Sequence, residues 1–348
     1  MSKPATRTSG LQAAGPSYGS DPSGLICGYL FTPGAAAQAL DCSAALDWLR
    51  VEREPNSQDF IWLHFNLSNL QSEKWLAEQL SLPEEFFDTL HEGPGSTRVE
   101  HADDSLIVVV NDVTYDFSYD VSEIATLCMC VQRNCVVSAR RHALRSVDRL
   151  RVAVKAGERF ESPMSLLVHL LRDQADVLQQ IQRDAAMRVD AIEDTLLSGR
   201  MTAKRGTLGS LRRVFVRLRR LLAPEPGTLF RLLNRPPDWF EDDDVQELRA
   251  ATEEFSAVLN DLAALQERTK LLQEEIVAHT TEQTNRSVFL LTIATVVALP
   301  INIIAGLLGM NVGGIPWSQD PNGFWIVVAI VAIFMLIAGW FSFFKQRD

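Results

Sequence analysis

Apolar positions change period twice along this chain, and the changes divide it into three kinds of structure. From Leu25 to about Arg159 the apolar residues come in short runs whose register shifts every 8 to 15 residues. Phe60-Ile-Trp-Leu-His-Phe65 and Ser105-Leu-Ile-Val-Val-Val110 have strand composition. Ile124–Val131 and Cys135–Ala139 read as a hairpin turning at Arg133-Asn134. Ser72–Leu80 and Pro83–Leu90 read as short helices, with Ser72 as a cap and Pro83 in a first turn. An α/β or α+β domain follows from this mixture.

From Ser162 the period becomes helical. Ser162-Pro163 is a start signal, and Met164, Leu167, Leu170, Leu171, Val177, Leu178 and Ile181 mark a buried stripe. A break from Ser198-Gly199 to Gly206 separates this helix from a second, Leu208–Leu222. Ala223-Pro-Glu-Pro-Gly227 and Asn234-Arg-Pro-Pro237 predict an irregular connection. A third helix starts near Asp238 and meets no Pro or Gly before Pro300; run through to Leu308 it would hold 71 residues, about 105 Å. Leu248, Phe255, Leu262, Leu265, Leu272 and Ile276 lie near a heptad seam, as in a bundled stalk.

The third kind is continuously apolar. Val288–Leu308 and Phe324–Phe344 are 21 residues each and free of charge, about 32 Å as helices against a hydrocarbon core of about 30 Å. Both read as membrane-crossing. The connecting segment contains no Lys or Arg, whereas Arg268, Lys270 and Arg286 precede the first span and Lys345 and Arg347 follow the second. The positive-inside bias therefore places both termini in the cytoplasm. Met1–Ser23, rich in Ser, Gly, Pro and Thr, has the composition of a disordered tail rather than a signal peptide. The five cysteines form no disulfide framework.

Charge narrows the partners. A net charge of −11 argues against nucleic acid, whose phosphates need a basic face, and suits a protein that handles cations. The first span carries polar and small groups at a helical repeat: Asn285, Thr292, Asn302, Gly306 and Gly309, with Thr295 near the same face and Leu299 in the same stretch. Neutral amides and hydroxyls offer oxygens to water or to a hydrated cation; the same groups can instead hold helices together. Pro300 removes a backbone donor and frees a carbonyl one turn back. The second span is aliphatic and aromatic, with Trp325 and Trp340 as interfacial anchors. One hairpin cannot enclose a path, so a pore requires several copies around an axis. Neither span contains an ionisable side chain, so proton coupling would act through the loop or the cytoplasmic domain.

Other clusters admit two readings. Glu241, Asp242, Asp243 and Asp244 are either a cytoplasmic cation sensor or acids stabilising the start of the long helix. Glu274 and Glu275 are either an inner acidic ring or a solvated face. Arg200, Lys204, Arg205, Arg212 and Arg213 surround the break between the first two long helices and suit anionic headgroups. Cys128, Cys130 and Cys135 favour buried thiols over a metal site. The histidines are scattered, His279 alone lying near the membrane mouth, and no nucleophile triad, phosphate loop or HExxH motif is present.

Gly309-Met310-Asn311 directly after a Pro-containing span, two spans at the C-terminal end and a long preceding helix together resemble the CorA family of divalent-cation transporters. The resemblance implies a funnel-shaped homopentamer. Its first spans would line the pore, and a ring of Asn311 amides would meet the hydrated metal ion at the outer entrance. Val312-Gly-Gly-Ile-Pro316, Arg219–Pro226, Trp239 and Asp242–Asp244 look like the ZntB branch, associated with zinc, rather than the magnesium branch. Zinc favours His and Cys in tight sites, and the filter has neither, so zinc rests on the resemblance alone.

The resulting expectation is a transporter rather than an enzyme, in a bacterial inner membrane, carrying divalent cations with Zn²⁺ foremost and needing no cofactor. The domains would be a tail over 1–23, an α/β cytoplasmic domain over 24–160, and a long-helix bundle and stalk over 161–286. A first transmembrane helix over 287–308, a filter and periplasmic loop over 309–323, a second transmembrane helix over 324–344 and a cytoplasmic tail over 345–348 complete the chain. Two rivals remain: a Mg²⁺/Co²⁺/Ni²⁺ channel on the same scaffold, and a membrane-tethered signalling or scaffold protein.

Overall fold

The computed structural model describes residues 19–51, 57–91, 97–198, 205–310 and 321–344. They divide into two compact units, Met1–Leu272 and Gln273–Asp348.

The first unit is built on a seven-stranded sheet ordered β2-β1-β3-β7-β6-β5-β4. Its strands are β1 (Leu25–Phe31), β2 (Gln38–Leu40), β3 (Phe60–Asn66), β4 (Arg98–Ala102), β5 (Ser105–Val113), β6 (Ile124–Val131) and β7 (Cys135–Arg140). β3 and β7 run parallel, and the other neighbours are antiparallel. Period-2 alternation sends Phe60 and Trp62 to one face and Ile61, Leu63 and Phe65 to the other. Both faces are covered, which is why β3 and β5 read as unbroken apolar runs. The β6–β7 turn falls where expected, with Gln132 N–H donating to Cys135 O at 2.8 Å.

Helices α1 (Cys42–Arg50), α2 (Leu70–Gln79) and α3 (Glu84–His91) cover one face through Ala45, Leu76, Phe86 and Leu90. The other face packs against α4 (Arg145–Lys155), α5 (Pro163–Leu197), α7 (Pro224–Asn234) and the start of α8 (Asp242–Leu308), through residues such as Leu150, Leu167, Leu229 and Leu248. Between α5 and α7 lies α6 (Arg205–Leu222). The whole apolar stripe predicted for α5 is buried, and its cap is as expected: Ser162 Oγ accepts from Ser165 N–H at 2.9 Å, with Pro163 at the first position. The α8 seam from Leu248 to Ile276 is buried as well.

Three expectations fail. Ser72 does not cap α2: Asn69 does, and Ser72 sits buried inside the helix, donating to Asn66 O at 2.6 Å. The connection is irregular after Asn234, as expected, but Pro224–Asn234 form α7. Pro224 and Pro226 fall in its first turn, where the N–H groups they lack have no intrahelical acceptor anyway. The second long helix also begins at Arg205 rather than Leu208.

The second unit contains the C-terminal part of α8 and α9 (Gly323–Phe344). α8 holds 67 residues without interruption, Pro300 included. It contains an 18-residue window of mean hydropathy 2.4 with no part buried, long and apolar enough to cross a membrane.

Candidate functional site

The chemistry of the apolar part of α8 is decided by which way each residue faces. Phe289, Ile293, Val297, Ile301, Ile304 and Leu308 are half-covered. Their spacing of three or four residues makes one stripe at 3.6 residues per turn. Asn285, Thr292, Thr295, Leu299, Asn302 and Gly306 are exposed, and the same helical geometry puts them on the opposite side. They form two adjacent lines at seven-residue spacing: Asn285, Thr292, Leu299 and Gly306, and beside it Thr295, Asn302 and Gly309.

The two threonines have committed their protons. Thr292 Oγ1 donates to Val288 O at 2.8 Å and Thr295 Oγ1 to Leu291 O at 2.9 Å. Each hydroxyl therefore presents oxygen lone pairs outward, the polarity that suits a cation or the water around it. Pro300 leaves the Val296 carbonyl without its usual donor inside the same span. At the helix end Gly309 N–H bonds Ala305 O at 2.9 Å, and a Cβ there would meet that oxygen at 3.0 Å, which favours glycine. Met310 is half exposed. Asn311 and the loop to Asp320 lie outside the described residues, as do Arg200 and Lys204.

Further toward the N-terminus the face is more polar than the sequence pattern suggested. Thr281 and Thr284 lie on the Asn285 side of α8, each donating to the carbonyl four residues back. Their type gave no signal, because threonine is common on any solvated helix. Glu274 falls eleven residues before Asn285 and seven before Thr281, on the polar face; Glu275 is fourteen before Phe289, in line with the covered stripe. Both are exposed.

The other acids divide. Asp244 is buried, accepts from Ser162 Oγ at 2.6 Å and from Glu241 N–H at 3.3 Å, and so binds the starts of α5 and α8 together. That is a structural role for this acid. Glu241 and Asp244 line an open pocket of about 240 Å³ that also contains Glu161 and Arg133, so its lining is not purely anionic. Asp242 and Asp243 are exposed in the first turn, where acids favour the helix dipole.

Cysteine and histidine do not converge on a site. Burial pushes the Cys130 and Cys135 thiols up to about 12, so both are neutral packing groups. Buried His64 stands between Ser138 Oγ (2.7 Å) and the Arg140 Nε–H donor (3.1 Å); burial, then Arg140, holds its pKa well below the usual range. His279 is exposed. Among the described residues no three His, Cys, Asp or Glu side chains are grouped to hold a metal.

The chain thus combines a sheet-based unit with a 67-residue helix that is long and apolar enough to cross a membrane. The chain belongs to the CorA-like family, whose model, described as CorA-like Mg²⁺ transporter protein, matches residues 57–346. It is 28% identical over 315 residues to the divalent cation transporter CmaX of Pseudomonas aeruginosa, covering 89% of this chain and 93% of that one. It is 25% identical over 304 residues to the zinc transport protein ZntB of Pectobacterium carotovorum, covering 87% and 93%. The structure of full-length CmaX superposes with a TM-score of 0.78 at 27% identity, over 94% of this chain and 99% of that one. The CorA magnesium transporter of Methanocaldococcus jannaschii shares the fold, with a TM-score of 0.73 at 16% identity over 90% and 96% of the two chains. These relatives are transporters, not enzymes.

Proposed function

We propose that this protein passes divalent metal cations, Zn²⁺ among them, across a bacterial inner membrane through a homopentameric pore. The observation that carries the reading is the exposed polar face of α8, opposite its half-covered apolar stripe. A single chain leaves that face with Asn302 and two threonines in hydrocarbon, which is costly. Several copies turned inward would give the same groups a shared aqueous axis. In this arrangement Asn285, Thr292, Thr295, Leu299, Asn302 and Gly306 line the path, Gly309, Met310 and Asn311 form its outer entrance, and both termini are cytoplasmic. Glu274 faces the inner mouth and Glu275 does not.

Zinc is supported by the ZntB relatives and by the loop's likeness to that branch. A broader cation range is supported by the CmaX relative and by the uncharged oxygen ligands of the polar face from Asn285 to Gly309. The test is uptake of Zn²⁺ by proteoliposomes. Asn302→Leu should abolish flux in a sample that still assembles, because it puts a ring of apolar side chains in the path. Asn311→Ala should do the same at the entrance. Loss of assembly before loss of flux in Asn302→Leu would instead identify that residue as a helix-packing contact.

A further inference from the structure

Charge is distributed unevenly in the first unit. Positions 195–224 contain eight basic residues and no acidic one, in a chain of net charge −11. On α6 the exposed residues Arg212, Arg213, Val216, Arg219 and Arg220 follow i, i+1, i+4, i+7, i+8 and so share one face. Among the described residues no ion pair forms at Arg219 or Arg220, and Arg213 lies close enough to Asp120 of its own chain to help hold that carboxyl below its usual range, after the Ser122 hydrogen bonds. The opposite side of α6, with Leu211, Val214, Phe215 and Leu218, is buried in the unit's own core.

α8 presents the counterpart. Asp243, Glu254 and Asp261 are exposed along one line of the helix, and the exposed Ala257 lies between the last two. Glu254 and Asp261 are seven residues apart, as are Arg212 and Arg219, and Arg213 and Arg220. Seven residues correspond to about 10.5 Å of helix rise, so the two faces offer opposite charges at one spacing. Val216 lies between the arginine pairs as Ala257 lies between the acids, which permits close approach at the centre.

We propose that the arginine face of α6 docks on the acidic line of α8 of a neighbouring copy, an inference that rests on the oligomeric reading above. A cyclic assembly of more than two copies joins two different faces of each chain head to tail. Opposite charges on two separate faces repeat around such a ring without a like-charge contact. A lipid surface fits α6 less well: a helix lying in a bilayer interface inserts an apolar face, and here that face is already buried.

The test uses full-length protein in mild detergent, with oligomeric state read by native mass spectrometry and fold by circular dichroism. R213E/R220E and E254R/D261R, all surface changes, should each keep the wild-type spectrum and weaken assembly by roughly tenfold per interface. The combined quadruple variant should regain the wild-type assembly, and added salt should weaken wild type in the same direction. Full assembly of both double variants overturns the proposal and leaves the pore reading intact. So does an R213E/R220E protein that assembles normally but has lost binding to phosphatidylglycerol vesicles. A wild-type protein that is monomeric yet transports overturns the pore reading itself.

Discussion

Glu225 has no access to solvent. Its Oε2 accepts from Thr97 Oγ1 at 2.9 Å and Gln174 Nε2 at 3.3 Å, while Oε1 is buried without a partner. Burial, with a smaller push from the Asp112 charge, raises its pKa from the ordinary 4.5 to about 8. The fold thus holds a proton that the unfolded chain releases near 4.5, so its stability falls as pH rises from about 4.5 to about 8. Burial also raises Asp112, opposed by the Ser146 N–H and Oγ–H and the Val113 N–H, which all donate to it. Glu225→Gln keeps an acceptor for Thr97 and offers donors to Gln174. We expect it to match wild type in thermal melts at pH 5 and to exceed it at pH 9; parallel pH profiles would remove Glu225 as the titrating group.

At the level of elements, α5 and α8 depend on one small side chain. Ser162 Oγ accepts from Ser165 N–H and donates to Asp244, which in turn accepts from Glu241 N–H. Ser162→Ala should therefore cost about 1–2 kcal/mol, the range of a lost N-cap, seen as a lower urea midpoint. The α5 start was legible because Ser-Pro before an apolar stripe has one local meaning. The Pro-Glu-Pro of α7 was not. Two prolines within three residues normally mark a loop, and here they fit a helix because both fall in its first turn and Leu229, Leu232 and Leu233 have a core to enter. The strands β1, β2 and β4 and the helices α1 and α4 were likewise not assigned from the pattern alone. β2 and β4 are edge strands with few buried positions, so their apolar signal is weak.

At the scale of the whole molecule, selectivity follows from ligand type. The exposed α8 face offers neutral amide and hydroxyl oxygens, which give a borderline-soft ion little advantage over a hard one. We therefore expect the ion to enter with water attached, and Co²⁺, Ni²⁺ and Cd²⁺ to compete with Zn²⁺ for uptake into liposomes. Uptake indifferent to excess Co²⁺ and Cd²⁺ would contradict this. So would a bare Zn²⁺ held by side chains at about 2.0–2.3 Å among the first spans.

By itself the sequence determined what depends on local pattern: the two charge-free 21-residue apolar segments, the unbroken helix that contains the first, the buried stripe of α5 and the β6–β7 hairpin. Each repeats a simple period long enough to have one solution. Tertiary structure decided what depends on direction and on distant partners. It gave Asp244 a structural partner by placing Ser162, 82 positions away in sequence, within 2.6 Å of it. It made Pro224–Gly227 the start of a helix rather than an irregular connection, since an apolar surface elsewhere in the chain was there to receive α7.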